Sequence, residues 1–190
     1  MNRPALSIAV LLALLAAPAY SAPADDPDPV LRELLRRAAN EADSFVDQFD
    51  AEVWLTDMST RLQRQVSDPE ERLEILKTVH YEAKRADLAP ELVLAVIDVE
   101  SNFDRFAISV AGARGLMQVM PFWLNEIGRP DDNLLRINTN LRFGCTILKY
   151  YLDMENGDLV RALGRYNGSL GSTRYPNKVL DKLRLKWFRA

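Results

Sequence analysis

A glutamate at the end of an apolar helical pattern is the first group in this sequence whose position suits acid–base chemistry. In APELVLAVIDVES, Leu92 and Val96 precede Glu100 at intervals of four residues, so the three side chains share one face of a helix. Glu100 therefore continues an apolar stripe and falls in the last turn. Burial and the negative end of the helix dipole both favour the neutral acid, so we expect a raised pKa and proton donation near neutral pH.

Two other carboxylates lie near Glu100 in the sequence but are not expected beside it in space. Asp98 is two positions earlier and therefore points to another face of the helix. We expect Asp104 in a turn after the helix, where it caps the helix end or pairs with Arg105 or Arg114. A position for Asp104 across a cleft from Glu100 would instead favour ordinary hydrolysis by two carboxyl groups.

The elements that position these residues are predicted to be helices. Helical periodicity begins at Val30, and no alternating strand pattern of useful length occurs. The predicted helices cover a segment from Val30 and then roughly 41–66, 69–85, 90–100, 114–127 with an interruption at Pro121, 138–155, 158–166 and 175–189. The sequence therefore predicts an all-α or nearly all-α domain.

Several helix boundaries carry local signals. Ser67 or Asp68 is the predicted cap of the third helix, with Pro69 at its first position, and Pro90 opens the fourth helix in the same way. The long helix after residue 137 is predicted to start at a cap formed by Asn138 or Thr139. The inward residues predicted for the second helix are Phe45, Phe49, Val53 and Leu62.

The first residues have the composition of a secretory signal. One cation, Arg3, precedes an apolar run, and small residues at the −3 and −1 positions predict cleavage between Ser21 and Ala22. The alternative is an uncleaved membrane anchor, but the run is short for spanning the hydrocarbon core of a bilayer, which favours cleavage. No transmembrane segment is expected in the cleaved chain. The sequence therefore predicts a periplasmic or secreted protein, in which the Pro/Asp-rich residues 22–29 form a flexible linker.

Charge and rare residues narrow the classes of partner. Residues 22–70 carry a net charge of −7, whereas residues 161–190 carry +7. The basic end either contacts an anionic polymer such as wall glycan or forms a solvated face that matches the acidic start, and a nucleic-acid partner is not expected outside the cell.

A single cysteine, Cys145, and a single histidine, His80, exclude the usual zinc sites, so we expect no metal and no cofactor. Both residues are interpreted as packing residues, with a surface position for His80 also open.

Three short motifs occur in a fixed order along the chain. They are Glu100-Ser101, Gly115-Leu116-Met117-Gln118 followed by Met120-Pro121, and Tyr166-Asn167 followed by a Gly/Ser loop. Together they resemble the soluble-type lytic transglycosylases, which are lysozyme-like enzymes that cut bacterial cell-wall glycan. The resemblance spans roughly residues 85–180.

The resemblance implies a lysozyme-like helical domain at 85–190, and we expect residues 30–84 to form an N-terminal helical extension of it. It also implies cleavage of the β-1,4 bond between N-acetylmuramic acid and N-acetylglucosamine in peptidoglycan strands, with formation of a 1,6-anhydro ring. Such an enzyme is a carbon–oxygen lyase, since the sugar's own 6-hydroxyl replaces water as the acceptor. Glu100 is then the catalytic acid and base.

The same resemblance assigns the other motif residues to the cleft. Ser101 and Gln118 hydrogen-bond substrate or orient the glutamate, and Gly115 lets the backbone approach a ligand because it lacks a side chain. Met117 is either an apolar wall against a sugar or a core residue. Tyr166 is expected to hydrogen-bond the catalytic carboxyl or polarise the sugar.

Asn167 is expected to bind an N-acetyl or hydroxyl group, although Asn followed by Gly168 is also a common helix end. Phe122-Trp123 departs from the small polar residues common after the family's proline. The sequence therefore allows two interpretations of Trp123, as a stacking platform for sugar or as a core residue.

Two alternative functions remain at this stage. The first is a hydrolytic muramidase in the manner of goose-type lysozyme, which the motifs also resemble. The second is a weakly active wall-binding or secretion-apparatus module, and an envelope-machinery partner is left open for each interpretation.

Overall fold

Eight α-helices and a closing π-helical turn form the regular structure of the described chain. The computed structural model describes residues 29–40 and 43–188. The helices are α1 (Pro29–Asn40), α2 (Gln48–Leu62), α3 (Pro69–Arg85), α4 (Pro90–Glu100), α5 (Trp123–Ile127), α6 (Ile137–Met154), α7 (Leu159–Tyr166) and α8 (Arg174–Lys182), and the π-helical turn is Leu183–Trp187. Within these residues the remaining backbone pairing consists of isolated bridges and no strand, which confirms the all-α prediction.

Local sequence signals explain where α3 and α4 begin. The Asp68 carboxylate accepts a hydrogen bond from the backbone N–H of Glu70 at 2.8 Å, and Pro69 follows at the first helical position. Pro90 opens α4, and Glu100 is its last residue. These boundaries confirm the predicted starts of both helices and place the glutamate in the final turn of α4.

Three other helix predictions need correction. The predicted helix 114–127 is wrong except for α5, because Gly115 and Gln118 have φ values of +73° and +48°, which no right-handed helix accommodates. Helix α6 follows Arg136 and has no side-chain cap, so the predicted cap at Asn138 or Thr139 is wrong. The final helix, predicted at 175–189, is α-helical only as far as Lys182, and the π-helical turn follows it.

Helix α2 begins at Gln48, so Phe45 precedes it, and two of the other three residues predicted to point inward are exposed. Phe49 is 76% exposed and Val53 is 37% exposed, whereas Leu62 is buried as predicted. The buried face is instead formed by residues at helical spacing on the other side: Ala51, Trp54, Leu55, Met58 and Leu62. A residue of α2 is therefore buried when it lies on the face that meets α1 and α3. A large apolar side chain on another face stays exposed.

His80 and Cys145 are both buried packing residues. The His80 ring stacks on Phe45 with ring centroids 3.5 Å apart, and its Nδ1 lies 2.7 Å from the Ser44 hydroxyl oxygen. Burial lowers the pKa of His80 to about 4. Burial also raises the pKa of the Cys145 thiol. These surroundings confirm the packing interpretation of both residues.

The hydrophobic core is continuous from Leu35 in α1 to Trp187 at the chain's end. Helix α3 packs against both α4 and α6, so the N-terminal helices and the later ones share one interior. The division at 84/85 into two segments stays a prediction. The proposed signal peptide and residues 22–28 of the proposed linker lie outside the described residues, whereas Pro29, the last predicted linker residue, begins α1. No helix in the described ranges combines the length and apolar character that crossing a membrane requires.

Asp98 fastens the C-terminal elements to α4. Its fully buried carboxylate accepts hydrogen bonds from Lys182 Nζ at 2.6 Å and Lys186 Nζ at 2.9 Å. The indole N–H of Trp187 donates to the same group at 3.1 Å. Burial alone would raise the pKa of Asp98, but the two lysines outweigh it and hold the pKa below its ordinary value. This cluster holds α8 against the helix that carries Glu100.

We predict that Asp98→Asn lowers the free energy of unfolding near neutral pH by about 2–4 kcal/mol, because the two lysines lose their buried counter-charge. The folded-state pKa of Asp98 is lowered, so its contribution is complete above the unfolded-state pKa of about 3.9 and is lost as pH falls through the folded value. Urea unfolding at several pH values measures the difference.

The matched control is Asp181→Asn, which removes an exposed carboxylate of α8 that pairs with Arg184. This variant is expected to change stability by less than about 0.5 kcal/mol. Equal effects of the two substitutions, or a wild-type advantage over Asp98→Asn that grows as pH falls, would contradict the role given to Asp98.

Candidate active site

Glu100 is half-buried at the end of α4 and has one side-chain hydrogen-bond partner among the described residues. The hydroxyl of Tyr175, from α8, donates a hydrogen bond to Glu100 Oε1 at 2.5 Å. Burial raises the pKa of Glu100, and the hydrogen bond from Tyr175 offsets part of that increase because it stabilises the carboxylate. The raised pKa expected from the sequence is thus confirmed in direction.

The chain turns sharply after Glu100 and is held by Ser101. Asn102 and Phe103 have φ values of +50° and +68°, a left-handed conformation that non-glycine residues adopt rarely. The Ser101 hydroxyl donates to the carbonyl of Leu116 at 2.8 Å and accepts from the N–H of Phe103 at 3.2 Å. Ser101 therefore ties the end of α4 to the second motif.

The second motif is a turn built around a buried asparagine of α6. Asn140 accepts a hydrogen bond from the N–H of Met117 at 2.8 Å and donates to the carbonyls of Arg114 and Leu134, each at 2.8 Å. A Cβ on Gly115 would lie 2.5 Å from the Leu134 carbonyl oxygen. Gly115 was expected to let the backbone approach a ligand. In the structure, the missing side chain instead allows a close approach to another segment of this protein.

Met117 is fully buried, which favours the core interpretation over a wall against sugar. Its backbone carbonyl accepts a hydrogen bond from the Tyr166 hydroxyl at 2.8 Å. Tyr166 was expected to hydrogen-bond the catalytic carboxyl or polarise the sugar, but its hydroxyl is engaged with this carbonyl and Tyr175 contacts the carboxyl. Met117 and Tyr166 thus join the second and third motifs.

Gln118 is also used to hold the turn. Its side-chain amide donates to the carbonyl of Ala107 at 3.1 Å and to that of Gly115 at 2.9 Å. The residue is half-buried and has a left-handed backbone, so the two hydrogen bonds stabilise a conformation that glutamine would not adopt by preference.

Two adjoining cavities lie over these residues. The Glu100 cavity has a volume of about 310 Å³ and is lined by Glu100 together with α8 and the loop before it. The Gln118 cavity, of about 250 Å³, is lined by Gln118, Tyr166 and an aromatic group that includes Trp123. Exposed Asn167 lines both cavities, which makes it the described motif residue best placed to contact a ligand spanning them.

Glu100 is the only carboxylate among the described residues that line either cavity. Asp98 is buried beneath the site and fully engaged by lysines. Asp104 is exposed in the turn after α4 and accepts a hydrogen bond from the N–H of Phe106 at 2.8 Å. The turn position expected for Asp104 is therefore confirmed.

Sequence reasoning missed two residues that shape the site. Tyr175, the partner of Glu100, lies 75 positions away in the chain, and only its place at the start of a basic helix distinguished it. Asn140 carried a clearer signal, since it is a polar residue on the apolar face of α6 and is 1% exposed.

With this geometry established, comparison with known proteins defines the family. The model of the family described as Transglycosylase SLT domain matches residues 77–183, which is more than half of the chain. The chain therefore belongs to the SLT transglycosylase family, as the three motifs predicted. The match begins within α3, ahead of the predicted boundary at residue 85, and extends past Tyr175.

Individual relatives also match parts of this chain. The chain is 30% identical over 116 residues to a protein named Transglycosylase of Enterobacteria phage PRD1, which covers 57% of this chain and 43% of the relative. It is 48% identical over 46 residues to membrane-bound lytic murein transglycosylase C of Actinobacillus pleuropneumoniae serotype 5b (strain L20), covering 24% of this chain and 13% of that protein. The chain thus spans less than half the length of these relatives.

Among solved structures, an inactive mutant of lytic transglycosylase Slt from Pseudomonas aeruginosa matches with a TM-score of 0.47 and 24% sequence identity. That match covers 78% of this chain and 31% of the Slt chain.

We predict that Tyr175→Phe raises the pKa of Glu100 further, because the carboxylate loses the hydrogen bond that stabilises its charge while burial remains. A ¹³C NMR titration of the Glu100 carboxyl measures the change. Tyr166→Phe is the matched control, since that hydroxyl bonds to Met117 and not to the carboxyl. A pKa that stays constant or falls in Tyr175→Phe would contradict the assignment.

We also predict that Gly144→Ala lowers the free energy of unfolding by about 1–3 kcal/mol through overpacking. A Cβ at Gly144 in α6 would lie 2.7 Å from Met117 Cβ, which cannot move without displacing the motif turn. Gly164→Ala in α7 is the control, because its nearest contact would be at 3.4 Å. Urea unfolding should show a clear loss for the first variant and a change within about 1 kcal/mol for the second; equal losses would refute this packing argument.

Proposed function

We propose that this chain is a peptidoglycan lytic transglycosylase that uses Glu100 as its only acid–base group. The observation that carries this proposal is a half-buried carboxyl group with a raised pKa, facing a polar cavity in which it is the only carboxylate among the described lining residues. Membership of the SLT transglycosylase family supports the same chemistry.

In the proposed first step, Glu100 transfers its proton to the oxygen of the leaving N-acetylglucosamine as the C1–O4 bond of the muramyl unit breaks. Burial raises the pKa of Glu100, which increases the fraction of the carboxyl group that carries a proton at a given pH. The N-acetyl group of the muramyl sugar stabilises the cationic centre that develops at C1, as in substrate-assisted glycosidases.

In the second step, the resulting carboxylate removes the proton from the muramyl 6-hydroxyl while O6 forms a bond to C1. The 1,6-anhydro ring closes, Glu100 regains the proton that it gave up, and no water is consumed. A tethered hydroxyl has a large effective concentration, which is why a second carboxylate to activate a nucleophile is not needed. The hydrogen bond from Tyr175 stabilises the carboxylate between the two steps.

The other motif residues are proposed to position this group and the sugar. Ser101 holds the turn after Glu100, and Gly115, Met117 and Gln118 build the turn beside it. These roles rest on the hydrogen bonds within the protein described above.

Tyr166 supports the second-motif turn, and Asn167 is proposed to bind the N-acetyl or hydroxyl groups of the glycan. Trp123, which is half-exposed at the Gln118 cavity, is proposed as a stacking surface for a sugar.

Hydrolysis by a muramidase of similar fold is the alternative that shares the same substrate. Inverting hydrolysis needs a second carboxylate placed to activate water, and retaining hydrolysis commonly uses one as the nucleophile. The described residues that line the two cavities include no second carboxylate for either role, which supports the lyase. A peptidoglycan substrate would place the protein in the cell envelope, in keeping with the signal predicted at residues 1–21.

We predict that Glu100→Gln lowers the rate of release of soluble fragments from purified peptidoglycan by about 10²–10⁴-fold, because the amide cannot exchange the proton. Asp104→Asn is the matched control, an exposed acid in the adjoining turn, and should retain the wild-type rate within about twofold. Circular dichroism is expected to show both variants folded. A folded Glu100→Gln variant with wild-type activity would exclude the proposed mechanism.

A further inference from the structure

Two cations at the edge of the Glu100 cavity have no ion-pair partner in the part of the chain that the structure describes. Arg174 is the first residue of α8, and Lys178 follows one turn later on the same face; both are exposed and both line the cavity. Within the described chain, neither side chain forms an ion pair with a carboxylate.

Their neighbours in the basic C-terminal region behave differently. Arg161 and Arg165 pair with Glu155, Lys182 and Lys186 pair with Asp98, and Arg184 pairs with Asp181. Most of the positive charge noted in residues 161–190 is therefore matched within the protein. The two described cations that stay unmatched at the cavity are the ones available to an external anion.

The rest of this wall also suits an anionic group. The Ser169 hydroxyl is shielded from solvent and has no hydrogen-bond partner among the described residues. The N-terminal end of α8 also lies at the cavity, where the helix dipole adds positive potential. Burial raises the pKa of Glu100, so at a given pH a larger fraction of this group is uncharged than for an exposed glutamate.

We propose that Arg174 and Lys178 bind a carboxylate of the acidic peptide attached to the muramyl sugar, and so favour peptide-bearing glycan at the bond cut beside Glu100. This inference rests on the proposed function. The muramyl unit carries its peptide on the lactyl group of the same sugar whose C1 reacts, so a peptide carboxylate lies near the scissile bond. The lactyl group supplies a carboxylate of its own only when the peptide has been removed.

Binding measured without cleavage tests the proposal. The parent protein carries Glu100→Gln, and the variant carries Arg174→Gln and Lys178→Gln in addition. Calorimetry measures the affinity of each protein for three soluble muramyl tetrasaccharides. The first bears its acidic peptides, the second bears the same peptides with every carboxyl converted to a methylamide, and the third is peptide-free with free lactyl carboxylates. Lys84→Gln/Arg184→Gln, which removes the same two charges from exposed positions outside the lining of the cavity, is the control.

We expect the Arg174/Lys178 variant to lose about three- to thirtyfold in affinity for the acidic peptide ligand, the range of two exposed ion pairs. Its affinities for the other two ligands should change less than about twofold, and the control variant should match the parent throughout. Equal losses for all three ligands, no loss for any, or a loss confined to the peptide-free ligand would overturn the proposal.

The outcome is separable from that of the proposed function. Peptide-dependent binding together with a wild-type protein that cuts no peptidoglycan would refute the lyase and leave the recognition intact. Cleavage by the wild type together with equal binding of all ligands by the Arg174/Lys178 variant and its parent would refute the recognition alone.

Discussion

The contact of α8 and the π-helical turn with the end of α4 gives two carboxyl groups, two residues apart, opposite environments. Asp98 points into the protein, where two lysines and a tryptophan N–H stabilise its charge. Glu100 points toward a cavity, where burial disfavours its charge and a single tyrosine hydroxyl contacts it. Pairs of acids whose surroundings shift their pKa values apart are typical of acid–base sites. Here the first acid holds the helix that supplies the partner of the second.

The remainder of the site is a chain of hydrogen bonds that links separate motifs. Asn140 holds the turn at Met117, whose carbonyl receives Tyr166, and Ser101 connects that turn to the end of α4. Most motif residues therefore act on one another. Exposed Asn167 and half-exposed Trp123 are left facing the cavities. This arrangement is expected where a reactive group needs precise orientation, since its supporting residues must themselves be fixed.

Much of the fold followed from local signals, because helix spacing and caps act over a few residues. The apolar spacing through Leu92 and Val96 placed Glu100 correctly, and Asp68-Pro69 located the start of α3. The segment 114–127 was misread as helix because Gly115 and Gln118 are left-handed. Asn140 holds this turn through Met117 and Arg114, which lie 23 and 26 residues away in the chain.

Tyr175 escaped prediction for the same reason. Its role exists only once the Asp98 cluster has brought α8 to α4. Long-range contacts of this kind carry no local pattern, and the family resemblance supplied the catalytic interpretation that spacing alone could not.

The central claim is that one carboxyl group both gives and regains a proton while the sugar supplies its own acceptor. Digestion of purified peptidoglycan in ¹⁸O-enriched water, followed by mass spectrometry of the fragments, tests it most directly. The account predicts muramyl ends that are lighter than hydrolytic ends by one water and contain no ¹⁸O. Fragments whose new muramyl ends carry one ¹⁸O atom would show that water is the acceptor and would contradict it.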